Sequence, residues 1–426
     1  MSKKEKTTLM PKLRFPEFKA KDDIVFRNGN LIFEPISNKN HNSDLPILAI
    51  TQEYGAIPRN HIDYNVSVTE KSLESYKIVE IGDFIISLRS FQGGIEYSMF
   101  HGICSPAYII LRKKVDIVDQ YYKHYFKTNR FIQDLNKDLE GIRDGKMVSY
   151  SQFSSILIPK PDKKEQQKIA DCLSSTDDLI TVEAKKLDAL KRHKKGLMQK
   201  LFPAEGKTLP QWRFPEFVDD WNNVSLIDIV DKKIKWSFTG GPFGSNLKSS
   251  DYTNDGIRVI QLQNIGDGKF INNYSIFTSK KKADELLSCN IYPNEIIMSK
   301  MGDPVGRACI VPNVHSRYLM CSDGIRIVVN KDIYNLYFIY SLINSSTFRS
   351  IIENNSTGST RKRIALDSLK NLQMTVPKIE EQEKIADCLS SLDKLISAQV
   401  EKIEALKFHK KGLTQGLFPF ILEVSK

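Results

Sequence analysis

The 426-residue chain has only six cysteines, at positions 104, 172, 289, 309, 321 and 388. None forms a CxxC pair and none has a histidine pair beside it, which excludes a zinc ribbon or a disulfide scaffold and points to a reducing, cytoplasmic compartment. No apolar run approaches the roughly 18 residues of a membrane span. Met1 to Met10 is polar and lysine-rich, lacks the apolar core of a signal peptide, and is expected to be disordered. Catalytic signatures are missing too. The nucleotide loop GxxxxGK[ST] is absent, and Gly141-Ile-Arg-Asp-Gly145-Lys146-Met147 has the wrong glycine spacing and no hydroxyl after its lysine. There is no Asn-Pro-Pro-Tyr or Asp-Pro-Pro-Tyr run, no Phe-x-Gly-x-Gly loop and no nucleophile elbow. Asp144-Gly145-Lys146 has no partner acid at a nuclease-like distance upstream. These absences describe a binder without chemistry of its own.

What is present is a repeat. Pro161 to Pro203 and Pro377 to Pro419 align without a gap, 216 residues apart. The first reads EQQKIADCLSS from Glu165, the second EQEKIADCLSS from Glu381, and each closes on Leu-Phe-Pro. A shorter echo, Arg-Phe-Pro-Glu-Phe, stands at Arg14 to Phe18 and again at Arg213 to Phe217. Ile169, Leu173, Ile180, Leu187, Leu190, Leu197 and Leu201 step by threes and fours or their sums. Ile385, Leu389, Leu392, Ile396, Ile403, Leu406, Leu413 and Leu417 do the same, which predicts two helices with an apolar seam. Asp162 with Glu165 reads as a capping box. Lys191, Arg192, Lys194, Lys195 and Lys200 make a basic last stretch before Pro203. The seams predict an antiparallel coiled coil of about 58 Å at 1.5 Å per residue. His193 and His409, and Cys172 and Cys388, occupy equivalent places and read as structural.

Between these frames lie two unlike segments, 19–158 and 218–375, both α+β. Strands are expected at 83–88 and 107–111 in the first, and at 257–262, 295–298 and 324–329 in the second. Each segment also predicts one helix, 120–136 and 334–353, and a closing strand, 148–158 and 364–376. The full division is 1–18 as an N-terminal segment, 19–158, a helix in 159–203, a linker at 204–217, 218–375, and a second helix with its tail in 376–426. Tyr121, Tyr122, Tyr125 and Phe126, with Tyr334, Tyr337, Phe338 and Tyr340, recur at helical spacing and read as core.

The net charge of +11 favours a polyanionic partner. Gly240-Gly241-Pro242-Phe243-Gly244-Ser245-Asn246 is the densest glycine loop, suited to close approach to a phosphate backbone. Arg258, Gln261, Gln263 and Asn264 flank a strand, and Gln, Asn and Arg are the side chains that bond base edges in the major groove. Lys300 and Arg307 bracket the Gly302-Asp303-Pro304 turn, and Arg361, Lys362 and Arg363 form a basic run. The first segment's counterparts are Arg59, Arg89 and Gln92 in Arg-Ser-Phe-Gln-Gly-Gly, and Arg143 with Lys146.

On these residues the chain resembles the specificity subunit of type I restriction–modification systems, over almost its whole length. The resemblance is carried by the two EQxKIADCLSSxDxLI helices, Gly240 to Asp251 (GGPFGSNLKSSD), Gln261-Leu-Gln-Asn264, Met301-Gly-Asp-Pro-Val-Gly306, and Gly358-Ser-Thr360 with Lys362-Arg363-Ile364. It implies two strand-rich target-recognition domains, each reading one half of an asymmetric interrupted site in double-stranded DNA. The helical spacers would set the gap and dock two copies of a methyltransferase subunit, with a restriction/translocase subunit in the full complex. S-adenosylmethionine, ATP and Mg would sit on those partners, with no cofactor or metal in this chain and no catalytic residue. It extends the DNA-contact set to Gly241, Ser245, Asn246 and Lys248. The first segment lacks the GGPFG loop. A self-contained methyltransferase and a purely structural coiled-coil adaptor are the competing classes. The missing motifs oppose the former and the basic, strand-rich segments oppose the latter.

Overall fold

The computed structural model describes residues 5–21, 24–42, 44–62, 70–137 and 148–424. Arg143 and Lys146 lie outside the described residues. The chain divides into two compact units, residues 1–185 with 401–426, and residues 186–400.

Each unit is organised on a four-stranded antiparallel sheet. In the first the strands lie in the order Phe33–Ile36, Ile109–Lys113, Phe84–Ile86, Glu96–Tyr97. In the second the order is Phe238–Gly240, Gly324–Ile327, Ile296–Ser299, Ala308–Ile310. Numbered along the chain, both sheets run first, fourth, second, third, so two segments without visible sequence likeness share one topology. In each sheet one central strand, Phe84–Ile86 and Ile296–Met298, is apolar on successive residues because both faces are covered. Phe84 and Ile86 join the helix-side core with Tyr122, Phe126 and Ile169, while Ile85 packs with Leu48, Val79 and Cys104. Ile296 and Met298 likewise join Phe338 and Ile385, while Ile297 faces Ile260, Tyr318 and Met320. In the second unit that other face is a five-stranded sheet in which Ile257–Ile260 and Tyr318–Met320 run parallel.

Both expected mid-segment helices are broken in two. Asp119–Tyr125 is followed by Asn129–Asn136, and Leu336–Ile343 by Ser346–Asn354. The breaks are set by hydroxyl caps: Thr128 accepts from the N–H of Phe131 and Ser345 from that of Phe348. The aromatic stripe is core, with Tyr121, Tyr122, Phe126 and Phe338 fully buried. The closing strands are shorter than expected. Tyr150–Ser155 is a helix opened by a Ser149/Gln152 capping box, and only Leu157–Lys160 is strand. Leu366–Lys370 and Gln373–Val376 repeat the arrangement. Each segment ends beside its start, since Leu157–Lys160 pairs with Val25–Asn28 and Gln373–Val376 with Asn222–Ser225. The N-terminal segment, expected to be disordered, holds a strand, Glu5–Leu9, antiparallel to Phe420–Val424. That pairing joins the two ends of the chain, and no local pattern announces it.

The repeats are helices of 39 residues each, Lys163–Leu201 and Ile379–Leu417. Asp162 caps the first by accepting from the N–H of Lys164 at 2.8 Å. Glu165 does not complete a capping box, because its carboxylate is held by Arg14 in a two-pronged contact at 2.8 and 2.9 Å. Arg213 and Glu381 repeat this contact at 2.8 Å for both prongs, with the Trp221 indole N–H adding a third donor. The adjacent glutamines repeat as well. Gln166 accepts from the Val118 N–H and donates to the Pro161 carbonyl; Gln382 does so with Asn335 and Pro377. Each RFPEF echo and each helix start are therefore one locking device, used twice.

The helices pack antiparallel, and each unit contains the first part of one and the last part of the other. In the first unit Lys410 bonds Asp177 and Lys402 bonds Glu183. In the second, Lys194 bonds both oxygens of Asp393 at 2.6 Å. Lys194 and Lys410 are repeat equivalents, as are Asp177 and Asp393. The Leu-Phe-Pro ends plug the cores: Leu417 and Phe418 sit in the first with Tyr121 and Leu173, and Leu201 and Phe202 in the second with Phe338 and Leu389. Mid-seam residues such as Ile180, Leu187, Leu190, Ile396 and Leu406 are half-buried, as a two-helix seam requires. His193 and His409 are exposed on the outer helix face.

Candidate nucleic-acid interface

The second unit gathers most of the sequence-derived candidates at one end. Phe238–Gly240, Ile257–Ile260, Ile296–Ser299 and Tyr318–Met320 all finish there, and each runs into a loop carrying candidates or touching them. Gly241 donates to Gly324, Cys321 to Ile260, and Lys300 to Asp323 (2.8, 2.9 and 2.7 Å between backbone atoms), so four loops are stitched edge to edge. Met301–Gly302 then pairs with Lys362–Arg363, which adds the basic run to the same cluster. Gly241 is obligatory: a Cβ there would lie 1.7 Å from the Cys321 carbonyl oxygen. Gly302, at φ 145°, opens the turn that ends at Gly306, where a Cβ would meet Ile352.

Within this cluster the candidates divide by what their side chains are already doing. Arg258 is 5% exposed, bonds the Tyr274 carbonyl and stacks on Phe270, and Asn264 is 1% exposed and bonds the carbonyls of Ile271 and Tyr274. Both hold the 261–274 loop and are spent on the fold, which corrects their expected place at base edges. Gln261 is half-buried and donates to the Tyr252 hydroxyl at 3.1 Å. Gln263 is exposed in the short helical turn Leu262–Asn264. In the basic run, Lys362 bonds Glu353 at 2.7 Å and Arg363 bonds Asp323 at 2.8 Å, whereas Arg361 is exposed and in no ion pair among the described residues. Lys248, Ser245 and Asn246 are exposed, and Lys300 and Arg307 half-buried. Arg307 lies against Gly302, 3.4 Å from the position of a Cβ there.

Two residues outside the sequence-derived contact set, Arg349 and the core-reading Tyr340, carry the loops from beneath. Arg349, on Ser346–Asn354, bonds the Val305 carbonyl at 3.3 Å and Asp267 at 2.6 Å, and Tyr340 bonds the Gly268 carbonyl. Burial lowers the Arg349 pKa from its ordinary value, with Arg307 nearby acting in the same direction. The two short helices thus fix the 265–268 and 302–306 turns together. Nothing in the local sequence marks these contacts, because their partners lie 44 to 82 residues away.

In the first unit, Phe84–Ile86 runs into the Arg89 turn, whose residues Ser90–Gly93 form one helical turn. Gln52, in the hairpin turn between Leu48–Thr51 and Gly55–Pro58, bonds the Arg89 carbonyl at 3.3 Å and closes over Gly93. Lys127 bonds the Gly93 carbonyl and Glu96, and Asn136 bonds the Phe91 carbonyl. Burial raises the Glu96 pKa and lowers that of Lys127, while the ion pair opposes both shifts. Arg89, Gln92 and the missed Tyr54 are exposed here. Arg59 is not brought to them. Its N–H bonds the Ile47 carbonyl, at the opposite end of the hairpin from Gln52. Among the described residues no group of three His, Cys, Asp or Glu could hold a metal ion, and no helix is long and apolar enough to cross a membrane.

Comparison with known proteins bears on the family and the fold. The family model for the type I restriction modification DNA specificity domain matches twice, over residues 17–192 and 219–407. The chain is 25% identical to the type I restriction enzyme MjaVIII specificity subunit of Methanocaldococcus jannaschii over 356 residues, 82% of this chain and 80% of that one. It is 26% identical over 374 residues to the putative MjaX specificity subunit of the same organism, covering 83% and 81%. Among solved structures, the type I restriction–modification S subunit from M. genitalium aligns over 97% of this chain and 100% of its own, with TM-score 0.55 and 15% identity. A chain described in a study of assembly and conformational transition of the type I R-M system aligns over 92% and 97%, with TM-score 0.57 and 15% identity. With its duplicated locking device, its two like sheets and the two matches that span them, the chain belongs to the type I restriction–modification DNA specificity family.

Proposed function

We propose that the two units read the two unlike halves of an interrupted, asymmetric site in double-stranded DNA, as the non-catalytic specificity subunit of a type I restriction–modification complex. The observation that carries this reading is the contrast between frame and loops. The same sheet order and helix locks occur twice, yet the loops at the strand ends differ in length, charge and glycine content. In the second unit, Lys248, Lys300, Arg307 and Arg361 are placed to meet phosphates. Gln263, exposed in the Leu262–Asn264 turn, would meet base edges together with Gln261, Gly241, Ser245 and Asn246. In the first unit, Arg89 and Gln92 take those roles, with Arg143 and Lys146 as further candidates. The recognition parts are residues 19–158 and 218–375, and the spacers 159–203 and 376–426.

Methylation and cleavage belong to partner subunits, which would carry S-adenosylmethionine, ATP and Mg, in the cytoplasm. Two copies of a methyltransferase subunit fit a chain that presents its helix surface twice. Leu179 and Leu395 are repeat equivalents, 43% and 55% exposed on the outer helix faces. Matching apolar spots of this kind suit two identical partners.

The test is to shorten both long helices by four residues, after Lys185 and after the equivalent Glu401, and to map modified bases in DNA exposed to the assembled complex. A loss of about 6 Å of helix corresponds to about two base pairs, so the gap should shrink by that amount while both half-sites persist. Changed half-sites with an unchanged gap would reverse the assignment of roles.

A further inference from the structure

We infer that Phe243 is an apolar wedge that enters the base stack of the half-site read by the second unit and unstacks one step. This rests on the DNA reading proposed above and assigns a role within it to a residue whose side chain has no polar atom. Lone exposed apolar side chains are common on protein surfaces, so exposure alone carries nothing. Three observations separate Phe243 from that background.

The first is degree and place. Phe243 is 82% exposed, and it stands on the Gly240–Asn246 loop, at the strand ends that also present Lys248, Gln263, Lys300 and Arg361. The second is the rigidity of its base. Gly241 is pressed against the Cys321 carbonyl with no room for a side chain, its N–H bonds Gly324 at 2.8 Å, and Pro242 is buried. The Asn246 N–H closes the turn on the Phe243 carbonyl at 2.8 Å. A ring on such a base does not fold back into the core on contact. The third is its immediate setting. Beyond its own chain neighbours, no heavy atom lies within 4 Å of the Cβ position at Gly244, and Ser245, Asn246 and Lys248 that follow are exposed polar or cationic groups. An aromatic tip flanked by phosphate-binding groups is the arrangement by which side chains part base steps, with the backbone contacts holding the wedge in register.

The experiment uses the full chain with its methyltransferase partner. The DNA is a duplex carrying the mapped site, with 2-aminopurine placed singly at every position except the methylated adenines. Wild type should raise the fluorescence at one position of one half-site. Phe243→Ala should abolish that rise and weaken binding by about tenfold, and Phe243→Leu should keep most of both. Because the ring is exposed, neither variant should shift the urea midpoint. If Phe243→Ala binds and fluoresces as wild type does, or wild type binds without any rise, there is no wedge. If Phe243→Ala loses the methyltransferase while the chain alone binds DNA as before, the ring faces the protein partner and the inference fails. If wild type does not prefer the mapped duplex to a scrambled one, the DNA reading itself falls, an outcome distinct from any effect of this variant.

Discussion

Replacing Phe202 with alanine should destabilise one unit and spare the other, although Phe202 follows the first recognition segment in the chain. Its side chain is 2% exposed, in the second core with Trp221, Phe338 and Leu389, and its ring centroid is 5.5 Å from that of Phe338. Removing a buried phenyl costs its transfer free energy and leaves a cavity that rigid neighbours fill only partly, together about 3–5 kcal/mol. A domain of this size has about 5–15 kcal/mol in all, so the second unit should lose about a fifth or more of its stability. The repeat equivalent Phe418, packed on Tyr121 and Tyr125, should act in the same way on the first unit. Hydrogen exchange read by mass spectrometry resolves the two. For Phe202→Ala, protection should fall in the 296–299 and 324–327 strands and stay unchanged in 84–86 and 109–113. The Phe418 variant should show the reverse. Loss of protection in 84–86 on Phe202→Ala would refute the placement of the helix ends, and equal loss in both units would refute their separate cores.

Three further outcomes are expected. Gln263→Ala should relax recognition at one position, by roughly 1–3 kcal/mol, whereas Arg361→Ala should weaken binding evenly across sequences and lower the salt slope by about one. Salt titrations on matched and mismatched duplexes distinguish the two patterns, and an exchange of patterns would sink both assignments. Glu381→Leu leaves the Arg213 guanidinium and Trp221 indole without their shared acceptor and should cost about 3–5 kcal/mol, while adding Arg213→Met to it should recover much of that in urea unfolding. His124 is buried beside Ser174, near Asp177, Lys410 and Lys123, and burial, then Lys410, lowers its pKa to about 4. The unfolded chain takes the proton first as pH falls, so stability should drop by up to about 1.4 kcal/mol per pH unit from about pH 6.5 toward 4, and His124→Asn should remove that contribution.

The frame was legible because its signals are local or exactly repeated. Leucine spacing along 39 residues needs no partner to be read, and a segment written twice marks its own limits. The capping box failed for an instructive reason: Asp162 and Glu165 have the right spacing, but a competing cation, Arg14, stands 151 residues away and takes the carboxylate. The helix breaks at Thr128 and Ser345 were readable in principle as hydroxyl caps, yet continuous aromatic periodicity masked them. The site was legible as loops and illegible as side chains. Arg258 and Gln263 look equally suited to a base edge until the core claims one of them. Lys362 and Arg363 look like Arg361 until Glu353 and Asp323, from other parts of the fold, neutralise them.

That sorting bears on how one fold can carry changing specificity. The contacts that repeat between the units lie at the segment ends: the Arg–Glu lock, the glutamine that ties the helix start to the insert, and the paired first and last strands. Every insert must satisfy these and little else to seat on the helices. The contacts that do not repeat lie at the far ends of the strands. There the second unit braces its loops with Arg349 and Tyr340, and the first with Lys127, Asn136 and Gln52. Loop supports are thus as individual as the loops they carry. A reading loop moved alone from one insert to another would leave buried polar groups unpaired at its base, at about 1–3 kcal/mol for each. The physically independent unit of specificity is therefore the whole insert between its paired terminal strands, bracing helices included, and not the loop that touches the base.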